Sequence, residues 1–275
     1  MLPGTVVRKR KYAVTSQTTT ATAVIVATPQ AGQLRVAVLS DIHANLHALE
    51  ATLAAIDADP PDELWCLGDL VGYGPRPNEV VEIVRERARI CLVGNHDLGV
   101  LERLDLDEFT PDAAAVARWT RTVLLDETRA YLESLEPEAK VEGAELYHAS
   151  PRDPVWEYVI SPDTALAALE VTVAPVVLVG HSHIALSISL AEGALDGSVA
   201  PEGTEADLDR ARWLLNPGSV GQPRDGDWRA AWLELDFDSR AARFHRVEYD
   251  VSHTQAEMAE RDLPQALAER LEHGA

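Results

Sequence analysis

Cysteine is nearly absent from the 275-residue chain: there are two, Cys66 and Cys91, each inside an apolar run, LWCLG and RICLVG. Two such residues do not staple a fold; they read as small buried hydrophobes in a reducing cytoplasm. Long hydrophobic runs are missing as well. None approaches the roughly 18 residues of a membrane-spanning helix, so no such span is expected. Positive charge is scarce: 24 Lys and Arg stand against 45 Asp and Glu, a net −21 at pH 7. That sign repels nucleic-acid phosphates and anionic membranes, and it argues against a protein that tracks a nucleic-acid backbone. A phosphate handled here needs local cations that overcome the bulk field, and bound metals are the obvious source. What the chain does have is apolar material, 46 % of its residues. That suffices for one large α/β domain or two modest ones.

The chain opens on a basic cluster, Arg8-Lys9-Arg10-Lys11, followed by the Thr/Ala-rich TSQTTTATAVIVATPQAGQ. Threonines interrupt the apolar stretch, so residues 1–33 read as a flexible tail or an over-extended start rather than a signal peptide. Order is expected from Leu34. LRVAVLS (34–40) is a buried strand. Leu46, Leu49, Leu53 and Ile56 then recur at helical spacing, and Pro60-Pro61 ends that helix. ELWCLG (63–68) is a second strand, Pro77 opens a second helix, and RICLVG (89–94) is a third strand. This β-α-β-α-β order implies a parallel sheet with right-handed crossovers.

Residues 100–140 read as two or three helices, punctuated by Pro111 and Pro137, forming a cap-like insertion beside the sheet. AELYH (144–148), a helix over 163–171 and VVLVG (176–180) follow. Then come strands without helices: IALSISL, RWLLN, RAAWLEL and ARFHRVEY. They suggest a second, more antiparallel sheet packed on the first. The acidic stretch 191–211 reads as a surface hairpin or loop, and 254–272 as one terminal helix. The expected organisation is a tail over 1–33, a domain over 34–250 and a C-terminal helical segment over 251–275.

Metal-ligand side chains recur where these strands end. SDIH carries Asp41 and His43, LGD carries Asp69, and VGNHD carries Asn95, His96 and Asp97. LYHASP carries His148, and VGHSH carries His181 and His183. In an open α/β sheet, ligands bind outside the carboxyl ends of the strands, so five strands deliver these groups to one rim. Mixed carboxylate, imidazole and amide donors suit Mn²⁺, Fe or Zn²⁺ better than Ca²⁺. If the D-x-H and H-x-H segments stay extended, both members of each pair face one site. Two divalent ions outweigh two carboxylates, and the surplus charge can hold a phosphate on an acidic protein.

The ordered set D-x-H, GD, GNHD, H and GHSH resembles the calcineurin-like metallophosphoesterases over roughly Leu34 to Leu235. SDIHANLHALEATL, CLGDLVGYGPRPNEVV, HASPRDPVWEYV and NPGSVGQPRDGD are similar to the small bacterial phosphodiesterases of that family. The resemblance implies an α/β fold: a four-layer β-sandwich of two mixed sheets flanked by helices. It implies that Asp41, His43 and His183 hold one metal, that Asn95, His148 and His181 hold a second, and that Asp69 bridges them. His96 would lie over the substrate and protonate the leaving oxygen, with Asp97 orienting it. Ala44 and Ala149 stand where the family often has Gly, which would strain a backbone needing positive φ by about 1 kcal/mol.

Around this set, Tyr73, Arg76, Arg152 and Arg224 are candidate substrate contacts, with Asn78, Asp153, Trp156, Asn216, Gln222 and Asp225 in the same loops. His47 reads as structural, and His245, His253 and His273 carry no signal. The function implied is hydrolysis of a small-molecule phosphodiester with two divalent ions, Mn²⁺ favoured over Fe, Zn²⁺ or Ni²⁺, in the cytoplasm. The alternatives are a phosphomonoesterase or protein phosphatase, a dinucleoside polyphosphate hydrolase, and a metal-binding scaffold. The scaffold is disfavoured because all seven ligands and His96 are present. No motif speaks to an oligomer.

Overall fold

Strand β1 (Arg35–Leu39) sorts its side chains by alternation, and the layers of the fold follow from that sorting. Val36 and Val38 point to one face and Ala37 and Leu39 to the other. The second face is covered by helix α1 (Leu46–Ile56) through Leu49 and Leu53, and by α2 (Pro77–Arg87) through Val80 and Val84. The first face, with Trp65 and Leu67, packs between two sheets against Leu146, Leu178 and Leu215. The structure is a computed structural model that describes residues 34–275. The expected tail over 1–33 lies outside the described residues.

The remaining elements in order are β2 (Glu63–Cys66), β3 (Ile90–Cys91), α3 (Asn95–Val100), α4 (Pro111–Val123), α5 (Asp126–Glu133), β4 (Glu138–Val141), β5 (Ala144–Tyr147) and α6 (Pro162–Glu170). They continue with β6 (Val176–Leu178), β7 (Ala185–Ala191), β8 (Ala194–Val199), β9 (Glu205–Asp207), β10 (Arg212–Pro217), β11 (Ala230–Asp236), β12 (Ala241–Val247), α7 (Val251–Glu260) and α8 (Gln265–Glu269). One sheet has the order β3-β2-β1-β11-β12-β9 and the other β4-β5-β6-β10-β7-β8. Both are mixed. In the first, β1, β2 and β3 run parallel and β11 is antiparallel to β1. In the second, β5, β6 and β10 run parallel, and β7 is antiparallel to β10. The outer face of the second sheet is covered by α6, whose Ala165, Ala168 and Leu169 meet Val177, Val179 and Leu214. The result is the expected pair of mixed sheets flanked by helices.

Two expectations change and one holds. The late strands do not make a sheet of their own: β9, β11 and β12 extend the first sheet, while β7, β8 and β10 complete the second. Sequence order gives hairpin partners but not which sheet a hairpin joins. The acidic stretch after residue 191 holds the expected hairpin, with β7 and β8 joined through Glu192 and Gly193, both at positive φ. That is the backbone a tight hairpin turn requires. The terminal helix is broken between α7 and α8. Pro264 supplies no N–H and disfavours a helical Leu263, so the chain restarts rather than continues. No described helix is long and apolar enough to cross a membrane.

Candidate metal centre

The loops that follow β1, β2, β3, β5 and β6 meet at one end of the sandwich. They are pinned to each other by backbone bonds. The Asp41, His43 and Ala44 amides donate to the Gly68, Asp69 and Leu70 carbonyls at 3.0, 2.9 and 2.8 Å. This interlocking requires unusual backbone. Asp41, His43, Asp69, His181 and His183 all have φ between 49° and 63°, and Ala44 has φ 51°. The D-x-H and H-x-H segments are therefore not extended, contrary to expectation; their pairs converge through left-handed turns. Each such residue costs on the order of 1 kcal/mol, and Asp and His tolerate the region better than most. The strain anticipated at Ala44 is present, whereas Ala149 is not among the positive-φ residues.

The imidazoles are aimed by their far nitrogens. Nδ1 of His43, His148 and His183 faces the carbonyls of Val71, Leu67 and Gln222 at 3.1, 2.9 and 2.6 Å. A carbonyl only accepts, so each Nδ1 carries the proton and each Nε2 presents a lone pair inward. Two of those lone pairs, on His43 and His183, face each other at 3.0 Å. Nothing but a cation or a proton between them relieves that contact. Asp41 Oδ1 is 3.4 Å from His183 Nε2. Asp69 Oδ2 is 3.6 Å from Nε2 of both His43 and His148, and Asn95 Oδ1 is 3.2 Å from His148 Nε2.

Each carboxylate is held by one oxygen and offers the other. Asp41 Oδ2 accepts from Ser40 Oγ at 2.6 Å and from the His181 amide at 3.0 Å. Asp69 Oδ1 accepts from the His96 amide at 2.9 Å. Asp41 Oδ1, Asp69 Oδ2 and His181 Nε2 are buried with no hydrogen-bond partner. Gly94 makes room for this arrangement: a Cβ there would lie 2.0 Å from Asp69 Oδ1. Donor atoms of Asp41, His43, Asp69 and His183 form one group within 4.8 Å, and those of Asp69, His148 and His181 form another. Asp69 belongs to both.

Burial sets the protonation of the cluster by itself. It pushes the Asp41 carboxyl up to about 7 and the Asp69 carboxyl well above the usual range. It holds the His43 and His183 imidazoles well below their usual range and pushes His181 down to about 2. Neutral imidazoles with inward lone pairs, beside carboxylates that lack a counter-charge, form a donor set that divalent transition metals fit.

The family model of the calcineurin-like phosphoesterase superfamily domain matches residues 34–238. The chain belongs to that superfamily. An uncharacterized protein of Methanocaldococcus jannaschii is 39 % identical over 241 residues, spanning 86 % of this chain and 96 % of its own. The crystal structure of a metallophosphoesterase from Sphaerobacter thermophilus is 42 % identical and superposes with a TM-score of 0.81 over 89 % of this chain and all of its own. A symmetrical bis(5′-nucleosyl)-tetraphosphatase of Yersinia enterocolitica is 37 % identical over 98 residues, 30 % of this chain and 34 % of that protein. This calcineurin-like phosphoesterase is thus a phosphoester hydrolase with buried Asp/His clusters able to hold metal ions.

The phosphoesterase places its other sequence-selected residues unequally. His96 is buried between Tyr73, His43 and Phe109, with ring centroids 4.4, 4.9 and 5.3 Å away. Burial and the charge of Arg224 push its imidazole down to about 3. Asp97 does not contact that ring as expected; its oxygens accept from the Val71 and Gly94 amides, both at 2.9 Å, and so fix the loop instead. Arg224 donates to Tyr73 Oη at 3.2 Å and Gln222 Oε1 at 2.8 Å, and its backbone amide caps the His183 carbonyl at 3.0 Å.

Arg76 turns away, gripping the Glu257 carboxylate and Glu79. Arg152 pairs with Glu157 at 3.0 Å. Asp153 accepts from the Val155 and Trp156 amides, and Asp225 pairs with Arg246. Asn216 ties the Gly180 carbonyl and Ser182, and Asn78 caps the end of α4. His47 and His253, stacked at 4.1 Å, lie beside Glu257, already neutralised by Arg76. Sequence reasoning missed Phe109 and Tyr158. The second sits two residues beyond Trp156, a spacing that signals one loop face.

Proposed function

We propose that this phosphoesterase is a phosphodiesterase that works with two divalent ions, Mn²⁺ in the first instance, on a small molecule. The observation that carries the reading is Asp69. Its free Oδ2 lies 3.6 Å from lone pairs belonging to both halves of the donor set, as a shared ligand requires. Asp41, His43 and His183 would complete one ion's ligands, and Asn95, His148 and His181 the other's. When bound, such ions polarise phosphoryl oxygens and acidify water.

The chain's own residues supply the rest. Arg224 is the arginine at this mouth with no carboxylate partner among the described residues, and its Nε is buried without a partner. A guanidinium in that state is poised for a phosphoryl oxygen. One such cation matches the single charge of a diester better than the two charges of a monoester. His96 is held neutral in the free protein, so it offers an N–H to the leaving oxygen. Once an anionic substrate offsets Arg224, the imidazole takes up a second proton more readily and can give it to that oxygen.

The test is hydrolysis of bis-p-nitrophenyl phosphate against p-nitrophenyl phosphate after Mn²⁺ loading, with an EDTA control. A diester preference abolished by EDTA is expected. Monoester preference would make the protein a phosphatase, and silence on both with metal bound would make it a scaffold. The local similarity to the Yersinia tetraphosphatase favours a second reading, dinucleoside polyphosphate hydrolysis. Diadenosine tetraphosphate cleaved faster than any diester would establish it.

A further inference from the structure

The mouth of the centre is ringed by aromatic side chains that the hydrolytic chemistry does not use. Phe109 meets His96 edge-on at 5.3 Å, and Trp156 meets Phe109 edge-on at 5.1 Å. Tyr158 stacks on His181 at 4.0 Å with the planes 20° apart. Tyr73 lies against His96, and Arg224 stands over the Tyr73 ring at 5.6 Å, which closes the collar on the far side. These residues come from four separate loops.

Two features argue against a merely structural collar. The chain is poor in aromatics, 5 % of residues, and while Tyr73 and Phe109 pack on the core beneath the mouth, Trp156 and Tyr158 belong to no core cluster. Tyr158 is also 43 % exposed, and Trp156 is only half-buried, so neither sits where core packing demands a large ring. An inorganic phosphate or an alkyl ester gains nothing from flat apolar faces beside a charged centre. A planar π group does gain: stacking one base on an aromatic side chain is worth roughly tenfold or more in affinity. An arginine at the edge of the collar adds attraction for the same kind of face.

We infer that the centre takes phosphoesters carrying a planar aromatic group, which stacks on Trp156 and Tyr158 while Arg224 holds a phosphoryl oxygen. This inference rests on the phosphodiesterase reading above and adds the substrate class to it. The group concerned is the one that stays on phosphorus: Trp156 and Tyr158 lie against His181, with ring centroids 6.5 and 4.0 Å away, whereas the leaving oxygen is the one assigned to His96.

The experiment uses three diesters with a common p-nitrophenolate leaving group: methyl, phenyl and thymidine 5′. Each rate with the full-length, Mn²⁺-loaded protein is divided by the uncatalysed rate of the same ester. The phenyl and thymidine esters are expected to exceed the methyl ester at least tenfold in kcat/KM. Trp156→Leu and Tyr158→Leu should each lower that ratio severalfold, and Tyr158→Phe should keep it. Thymidine alone preferred would narrow the class to nucleosides; phenyl equal to thymidine would leave it at aryl groups. Equal corrected rates on all three overturn the inference.

If no diester turns over, the phosphodiesterase reading fails separately, and the collar is then read by calorimetry. Adenosine 5′-monophosphate binding at least tenfold more tightly than ribose 5-phosphate, with the difference lost in the Trp156→Leu, Tyr158→Leu double variant, sustains the inference. Equal binding of the two sinks it.

Discussion

Replacing Asp69 with Asn should raise the stability of the metal-free protein and abolish its response to metal, a pair of opposite signs that a simple packing defect would not produce. Asp69 is fully buried, and Oδ2 has no hydrogen-bond partner. Burial raises its carboxyl well above the ordinary 3.8. At pH 7 the unfolded chain carries an ionised Asp69, whereas burial disfavours that charge in the metal-free fold. The buried, unpartnered Oδ2 sets the scale of that cost, about 1–3 kcal/mol. Water entering the metal-free site lowers it to about 1–2 kcal/mol. Asn avoids the cost, and its amide directs N–H groups towards the His43 and His148 lone pairs. A gain of that size raises Tm by roughly 3–6 °C in a chain of this length.

The sign with pH follows from the direction of the shift. A carboxyl raised in the fold contributes stability that is complete below its unfolded value and is lost as pH rises. The variant's advantage in EDTA should therefore be absent near pH 3.5 and widen towards neutrality. With metal the order reverses. An ion at a thousand times its Kd stabilises by about 4 kcal/mol, so the wild type should gain roughly 10 °C and overtake the variant. The variant should gain less than about 3 °C and lose at least three orders of magnitude in turnover. Differential scanning fluorimetry in EDTA and in Mn²⁺, alongside diester hydrolysis, reads both. A folded variant with wild-type metal response and near wild-type rate would falsify Asp69 as the shared ligand.

Other positions give sharper local tests. Gly94→Ala forces a Cβ to within 2.0 Å of Asp69 Oδ1, so it should cost more than about 2 kcal/mol in chemical denaturation; a neutral result means the loop yields more easily than that contact implies. Arg224→Gln should lower kcat/KM about 10- to 100-fold, the worth of one charge-assisted bond to phosphate, while the metal-induced Tm shift stays. Arg76 holds the Glu257 carboxyl down to about 2 from the ordinary 4.5, so its stabilisation is full above pH 4.5 and fades as pH falls towards 2. Because Arg76 is one-third exposed, about 1–2 kcal/mol is expected, and urea denaturation should show Arg76→Gln converging on the wild type in acid. His96→Ala should slow alkyl leaving groups more than p-nitrophenolate; equal slowing of both removes it as the proton donor.

How much of this was legible in the sequence divides along a physical line. Side-chain chemistry at strand ends was readable because it is local: a valine run followed by His-Ser-His announces a strand that stops at a polar rim. The parallel β-α-β-α-β start was readable for the same reason, since helix period and strand length are properties of short windows. Backbone handedness was not. Nothing in D-x-H says that both residues take positive φ, because that geometry is imposed by the bonds from Asp41 and His43 to Gly68 and Asp69, in the loop after the next strand. Nor could three arginines in three loops be ranked. The glutamate that occupies Arg76 lies 181 residues away, and only the folded chain brings α7 beside α2. Asp97 misled in the opposite way: adjacency to His96 suggested a partner, but α3 turns the two side chains apart, and the carboxylate goes to the Val71 and Gly94 amides.

The unreadable part and the costly part of the molecule coincide. Five left-handed Asp and His residues of the donor set, two lone pairs facing each other at 3.0 Å, and carboxylates with an unpartnered oxygen each lower the stability of the metal-free fold. Their directions are not random. The lone pairs and the free oxygens face the same small volume. The far sides of the His43, His148 and His183 imidazoles are fixed by backbone carbonyls rather than left free to rotate. A core that had merely tolerated polar residues would have paired Asp69 with Arg224, the uncompensated cation at the same mouth. Instead the guanidinium goes to Tyr73 and Gln222, and the carboxylate is left to the imidazoles. On a chain of net charge −21, withholding that one neutralisation keeps a cation for an incoming anion and keeps the anions for incoming cations.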